Sequence, residues 1–342
     1  MIRRQYLHTL LLMLISGISA CHSSRLSNTC MNNAADYPHC TQLPLQIFAP
    51  EPDYLPHTPE LQTFYELNSI RRRLGLGVLV QNRQLDSAAQ NHLRYIVRNL
   101  PDDPSAYGHT EQYGRPQFTG SGPTERAQFA GYPGTAGENL GGANSVFHLS
   151  PAYNFLNTIS HARLMLDQCA TDIGIGYAVL NDRGNELNPL VLNFGNQLTS
   201  AGYSLCQKNS VQFFFHYPYD GQTGVPLSMT PEDPNPVPDL PKDKTGNDDW
   251  LNGTSAAMIF GFERSAVIEQ LDANVTEINT QKTLGVRLFW WNSIRYPNPH
   301  RDRHIAYLVG YQPFKPETTY KVTVNAVVSG EHIKRDFSFT TR

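Results

Sequence analysis

The chain has 342 residues, a formal net charge of −3, 40% hydrophobic and 17% charged residues. It is long enough for two ordinary domains and apolar enough to bury real cores. No basic run forms a nucleic-acid patch, so nucleic acid is excluded as a partner.

Residues 1–20 read as a secretory signal. Arg3 and Arg4 precede the apolar run LLLMLIS, and small residues follow before Cys21. The run is too short for a permanent membrane helix. Ile18-Ser19-Ala20-Cys21 resembles a bacterial lipobox. Lipid on Cys21 would anchor the mature chain to a membrane, and His22 gives no inner-membrane retention signal of the aspartate type. Residues 21–57 are polar and proline-containing, a tether and a strapped lead-in segment. Four further cysteines, Cys30, Cys40, Cys169 and Cys206, invite disulfides in an exported chain. Of the three pairings, Cys30–Cys40 with Cys169–Cys206 is the simplest, because each pair lies within one region.

Thr58-Pro59-Glu60 starts a helix, with a capping hydroxyl, proline at the first helical position and an acid for the dipole. Leu61, Phe64, Tyr65 and Leu67 follow at near-helical spacing, and Gly75 and Gly77 end the run. A second helix fits residues 82–100, with Leu85, Ala88, Ala89, His92 and Ile96 as its stripe. His92 on that stripe reads as a satisfied core histidine. Residues 101–150 read as loops, and a third helix is expected over about 152–166. DIGIGYAVL and PLVLNFGNQ read as two strands around the turn NDRGNELN.

After residue 205 aromatic and β-branched runs such as VRLFWWNS, IAYLVGYQP and TYKVTVNAVV, separated by turn residues, predict a β-sandwich. The acidic, proline-rich stretch 231–249 inside it reads as a solvated excursion. LFWW reads as core rather than as a carbohydrate platform.

Three residues stand out for chemistry: His109 in YGHT, Glu138 in TAGENLGG, and His161 in TISHARLML. Glu138 stands in a glycine-rich stretch, where the backbone bends sharply or comes close to something. It either ties down a loop or faces a pocket. Two histidines and a carboxylate can hold zinc or another divalent ion with a position left open, and histidine with glutamate can share proton transfer. Ser160 and His161 make a poor nucleophile–base pair, because adjacent helical residues do not face each other. Glu125 and Arg126 read as a surface ion pair near the cleft rim.

LNSIRRRLGLGVLVQNRQLDSAAQNHLRYI, His109, ERAQFAGY before GENL, His161 and IGIGYA, in that order, resemble the CAP superfamily of cysteine-rich secretory, antigen 5 and pathogenesis-related proteins, and its bacterial, SCP-like branch. The likeness covers about residues 60–200. It implies an α+β chain: a CAP-type α-β-α sandwich over 58–205, then an all-β immunoglobulin-like sandwich over 206–342, which YPYDGQTGVPL and FKPETTYKVTVNAVVSGEHIKRDFSFTT resemble. It also implies a cleft formed by His109, Glu138 and His161, with a divalent metal on the histidines in some members. The chain departs from the family in three places. The helix before His161 has no acid, and Phe155 and Thr158 stand where bacterial members often have tryptophan and serine. The arginine that often follows the histidine directly is one place late, at Arg163.

The first expectation is a lipid-anchored binding protein of the bacterial envelope, at the outer membrane if the cell is Gram-negative, whose cleft engages an envelope ligand or protein. The alternatives are a metal-dependent, peptidase-like hydrolase with Glu138 as general base and a sterol- or fatty-acid-binding protein.

Overall fold

The computed structural model describes residues 41–142, 149–182, 185–200, 202, 204–207, 213–300 and 302–342. The expected signal, the lipidation of Cys21 and the Cys30–Cys40 pair lie outside them. Among the described residues no helix is long and apolar enough to cross a membrane.

The first half runs β1 (Thr41–Leu43), α1 (Pro59–Arg73), β2 (Val80–Gln81), α2 (Arg83–Asn99), α3 (Pro123–Phe129), β3 (Thr135–Gly142), α4 (Pro151–Leu156), α5 (Ser160–Met165), β4 (Asp172–Tyr177), the short pair β5 (Asn181–Asp182) and β6 (Asn185–Glu186), β7 (Pro189–Asn196) and β8 (Leu205–Gln207). The first helix starts where its cap predicts, and the second starts one residue inside its expected span. Thr58 accepts from Leu61 N–H, and Asn82 accepts from Gln84 and Leu85 N–H. Gly75, at φ +71°, takes the left-handed turn that ends α1.

β2, β4, β7 and β3 form one sheet in that order, with β3 at its edge. Along β4, isoleucine alternates with glycine, and the two faces are treated differently. Ile173 and Ile175 pack under α1, α4 and α5 with Phe64, Leu67, Phe155 and Met165. Gly174 faces the other way and lets α2 press directly onto the sheet, since a Cβ there would sit 2.1 Å from the Leu85 carbonyl carbon. Helices on both faces make the expected α-β-α sandwich. Arg71, wholly buried on α1, donates to the carbonyls of Gly77, Met165 and Asp167 at 2.6, 2.7 and 3.0 Å and so ties α1 to the end of α5. Cys169 bonds Cys206, the one expected disulfide within the described residues. β8 beside it pairs in parallel with β1 and straps the lead-in segment to the domain.

The second half holds β9 (Phe214–Tyr217), β10 (Gln222–Val225), α6 (Trp250–Gly253), β11 (Met258–Phe262), β12 (Ile268–Glu277), β13 (Thr283–Leu284), β14 (Val286–Phe289), β15 (Ile305–Gly310), β16 (Thr319–Val328) and β17 (Glu331–Thr341). A five-stranded sheet, β10-β17-β16-β12-β13, faces a four-stranded sheet, β14-β15-β11-β9. Met258, Phe260, Leu308, Val322, Val324 and Phe339 fill the space between them. Phe289 is core, as LFWW predicts. The four-stranded sheet is buried on its other face too. There Phe215, Tyr217, Ile259, Phe289, Tyr307 and Val309 join the same cluster as α1, α4 and α5. One helical layer is therefore packed between two sheets from different halves of the chain.

Three sequence expectations change. The helix expected over 152–166 is two short helices broken at residues 157–159. Asn157 turns to the β-domain, donating to Ser228 O at 2.9 Å and accepting from Ala257 N–H at 3.2 Å. The glycine-rich stretch TAGENLGG, expected in a loop, is β3. Its Gly137 and Gly141 face Leu164 of α5 and Phe155 of α4, where a Cβ would come within 2.9 Å of each side chain. The proline-rich stretch 231–249 is solvated only in part, since Glu232, Val237 and Leu240 are buried.

Gly174→Ala is expected to push α2 off the sheet and to destabilise at the upper end of the ~1–3 kcal/mol overpacking range. Urea unfolding of the variant against the wild type measures this; an unchanged midpoint would contradict the close contact.

Candidate functional site

β3 presents successive side chains to opposite faces of the sheet. Ala136 and Leu140 pack toward α2 and α3, and Glu138 lies between them on that face. Its Oε2 accepts from Arg126 Nη2 of α3 at 2.7 Å, and its Oε1 lies 3.0 Å from His109 Nδ1 and 3.7 Å from His92 Nε2. Arg126 also donates to the His109 carbonyl at 3.0 Å. His92 closes the cluster from α2, with Nδ1 2.9 Å from Glu111 Oε1 and Nε2 2.9 Å from Gly108 O. Glu111 in turn accepts from Thr119 N–H at 2.7 Å. Glu138, Arg126, His92 and Glu111 have wholly buried side chains, whereas that of His109 is 46% exposed.

Burial alone would raise the Glu138 carboxyl. The charge of His92, the His109 hydrogen bond and the Arg126 guanidinium outweigh it and hold Glu138 at about 2.

His161 sits across the β3 edge on α5. Asn139, on the face of β3 opposite Glu138, donates to the His161 carbonyl at 3.0 Å. The His161 ring lies beside Phe155, with centroids 5.1 Å apart. Its Nδ1 is 3.4 Å from Thr158 Oγ1 and 3.6 Å from Glu232 Oε2. Glu232 comes from the β-domain. It accepts from the N–H groups of Ile159 at 2.9 Å and Ser160 at 3.0 Å, where α5 begins. Burial raises its carboxyl to about 7 against those bonds. Burial, and then the charge of His109, lower His161 to about 4.

The structure thus brings His109 and Glu138 into direct contact, while His161 reaches His109 through its field and meets a different acid. His92 is a satisfied core histidine, as its place on the helical stripe predicts. Arg126 is not a surface partner of Glu125. It is buried against Glu138, and Glu125 instead accepts from Ser121 N–H at 2.6 Å. Glu111 and Glu232 escape sequence reading because each meets its histidine only through the fold. The one signal for Glu232 was the absence of an acid in the helix before His161.

A divalent ion on His109 and His161 would have no third protein ligand: among the described residues no group of three or more His, Cys, Asp or Glu is placed to hold a metal. Glu138, the carboxylate at His109, is already bonded to a guanidinium, whose charge opposes a cation.

Residues 64–194 match the model of the CAP, or cysteine-rich secretory protein, family. The chain therefore carries a CAP domain, followed by an all-β region. Among solved structures, an outer surface protein of Borrelia burgdorferi is similar at 18% identity over 42% of this chain and 95% of its own, with a TM-score of 0.32. A DUF4426 family protein of Pseudomonas aeruginosa PAO1 is similar at 13% identity over 27% of this chain and 67% of its own, with a TM-score of 0.18. Likenesses this slight carry no argument about function. No curated protein matches the chain.

Glu138→Gln removes the closer of the two buried carboxylates at Arg126, leaving Glu111 at 3.9 Å, and is expected to cost about 3 kcal/mol. The acid limb of stability carries the same signature. An unfolded glutamate takes up its proton near 4.5, but native Glu138 does so only near 2. Its contribution is full above pH 4.5 and is lost as the pH falls toward 2. Urea midpoints of wild type and variant across that range should converge at the acid end.

Proposed function

We propose that this is an exported, lipid-anchored CAP-domain protein of the bacterial envelope, whose cleft at His109 binds an envelope ligand or partner and does not cleave a substrate. The observation that carries the binding reading is the state of Glu138. Both of its oxygens serve internal partners, and its carboxyl is held at about 2. A general base works best with a pKa near the operating pH, so Glu138 is a poor base for activating water. It serves instead to hold the half-exposed His109 ring in one orientation. The hydrolase reading also lacks a metal site among the described residues.

A sterol or fatty-acid site is less favoured. The recess between α5, β3 and the β-domain measures about 240 Å³, with Arg163 and Arg264 in its lining, and a larger, shallower one of about 460 Å³ on β12, β16 and β17 carries Asp272, His332 and Lys334. Small-molecule pockets usually run to roughly 300–1,000 Å³ with mainly apolar walls. Export is supported by the Cys169–Cys206 disulfide, which suits an oxidising compartment. The anchor rests on the positive start, the apolar run and Cys21.

The binding reading is tested by immobilising the full chain and measuring retention of purified envelope fractions. His109→Ala is expected to lower retention about tenfold, the equivalent of ~1.4 kcal/mol, with the fold intact. Zinc titration by calorimetry should give no one-to-one site dependent on His109 and His161. Turnover of a peptide or glycan substrate that His109→Ala abolishes would defeat the proposal. For the anchor, Cys21→Ser expressed in bacteria is expected to move the protein from the membrane fraction to the soluble one and to end labelling by radioactive palmitate. A variant still labelled and still in the membrane would refute it.

A further inference from the structure

His161 is surrounded by groups that dictate which of its nitrogens carries the proton. Thr158 Oγ1 donates to the Phe155 carbonyl oxygen at 2.7 Å. A hydroxyl has one proton to donate. The Phe155 carbonyl is an acceptor and takes that proton. What Thr158 turns toward His161 Nδ1, at 3.4 Å, is therefore a lone pair. Glu232 Oε2 stands 3.6 Å from the same nitrogen. That is too long for a hydrogen bond, but a carboxylate there repels a nitrogen lone pair and attracts an N–H. Each polar group in contact with Nδ1 favours a proton on it.

A neutral imidazole carries its proton on one nitrogen, chosen by the partner of that nitrogen. From this geometry we infer that Glu232, delivered by the β-domain, fixes His161 in its Nδ1–H tautomer and leaves Nε2 as a hydrogen-bond acceptor. Glu232 is a positioning residue, acting through His161. Its backbone bonds to Ile159 and Ser160 hold it in place, so the carboxylate is set by the same contacts that start α5. In its neutral form His109 is set in the same sense: Nδ1 donates to the Glu138 carboxylate, which leaves Nε2 as an acceptor. The cleft then offers acceptors from both histidines and takes a ligand that brings O–H or N–H donors. This ligand chemistry rests on the binding reading above, whereas the tautomer does not. The tautomer is measured with no ligand present, so a failure of either is separable from a failure of the other.

The full chain, labelled with ¹⁵N-histidine, is examined by long-range ¹H–¹⁵N correlation at about pH 8.5, above the value near 7 to which burial raises Glu232. His161 is assigned by its loss in His161→Gln. The wild type is expected to carry the proton on Nδ1. Glu232→Gln keeps the shape and can keep the Ile159 bond through its carbonyl, which turns its NH₂ toward His161. The proton is then expected to move to Nε2. Glu232→Asp retains a carboxylate and is expected to retain Nδ1–H, a rescue that a merely space-filling role would not produce. A wild-type ring protonated on Nε2 overturns the inference, and needs no variant to fold. A Glu232→Gln protein with a native amide spectrum and an unchanged His161 tautomer overturns it as well.

Discussion

In the layer made by α1, α4 and α5, only α1 keeps an ordinary solvent face, at Gln62, Tyr65 and Ser69. The layer is covered by the CAP sheet on one face and by the four-stranded sheet of the β-domain on the other, in one continuous apolar cluster. Fully burying a large aliphatic or aromatic side chain is worth roughly 1.5–3 kcal/mol, so side chains such as Phe155, Leu156 and Ile159 commit the two halves to each other. The rest of the molecule accommodates that commitment. The helix through residues 151–165 gives up a turn so that Asn157 can bond the β-domain backbone, and Gln168 donates to Phe262 O at 2.8 Å across the same boundary. Arg163 and Arg264 share Asp302 at its margin.

This packing sets the electrostatics of the cleft. On the α2/α3 side, Glu138, Arg126, His92 and Glu111 are removed from water together. Burying charges is costly, and the cost is offset only when each group finds good partners. Here Glu138 does, with a guanidinium on one oxygen and an imidazole on the other. Across the β3 edge, His161 and Glu232 are buried with weaker mutual contact, and burial drives both toward their neutral forms. The two sides differ because only the first holds a cation that cannot lose its charge.

The glycines around Glu138 have a plain geometric role. Gly137 and Gly141 let α5 and α4 lie close against β3, while Glu138, between them in the chain, points to the opposite face. The acid and the glycines therefore work on different sides of one strand. Read as a sequence, TAGENLGG has one β-branched residue, Thr135, and three glycines, which argues for a loop. Pairing with β7 along its whole length overrides that local preference.

Local chemistry was enough for the start of the first helix, the strands of β4 and β7, the alternation in the β-domain and a preference for Cys169–Cys206 among the possible pairings. In each case a cap, a period or a shared region is written in neighbouring residues. The resemblance to the CAP family was what placed His109 and Glu138 together. Contacts between distant segments decided the rest. Arg126 stands next to Glu125 in sequence yet bonds Glu138, because α3 turns its side chain inward against β3. Glu232 lies among prolines and acids that look solvated, yet it caps a helix from another domain and faces His161. No spacing rule joins residue 161 to residue 232; they meet because burying the helical layer brings the two sheets together around it.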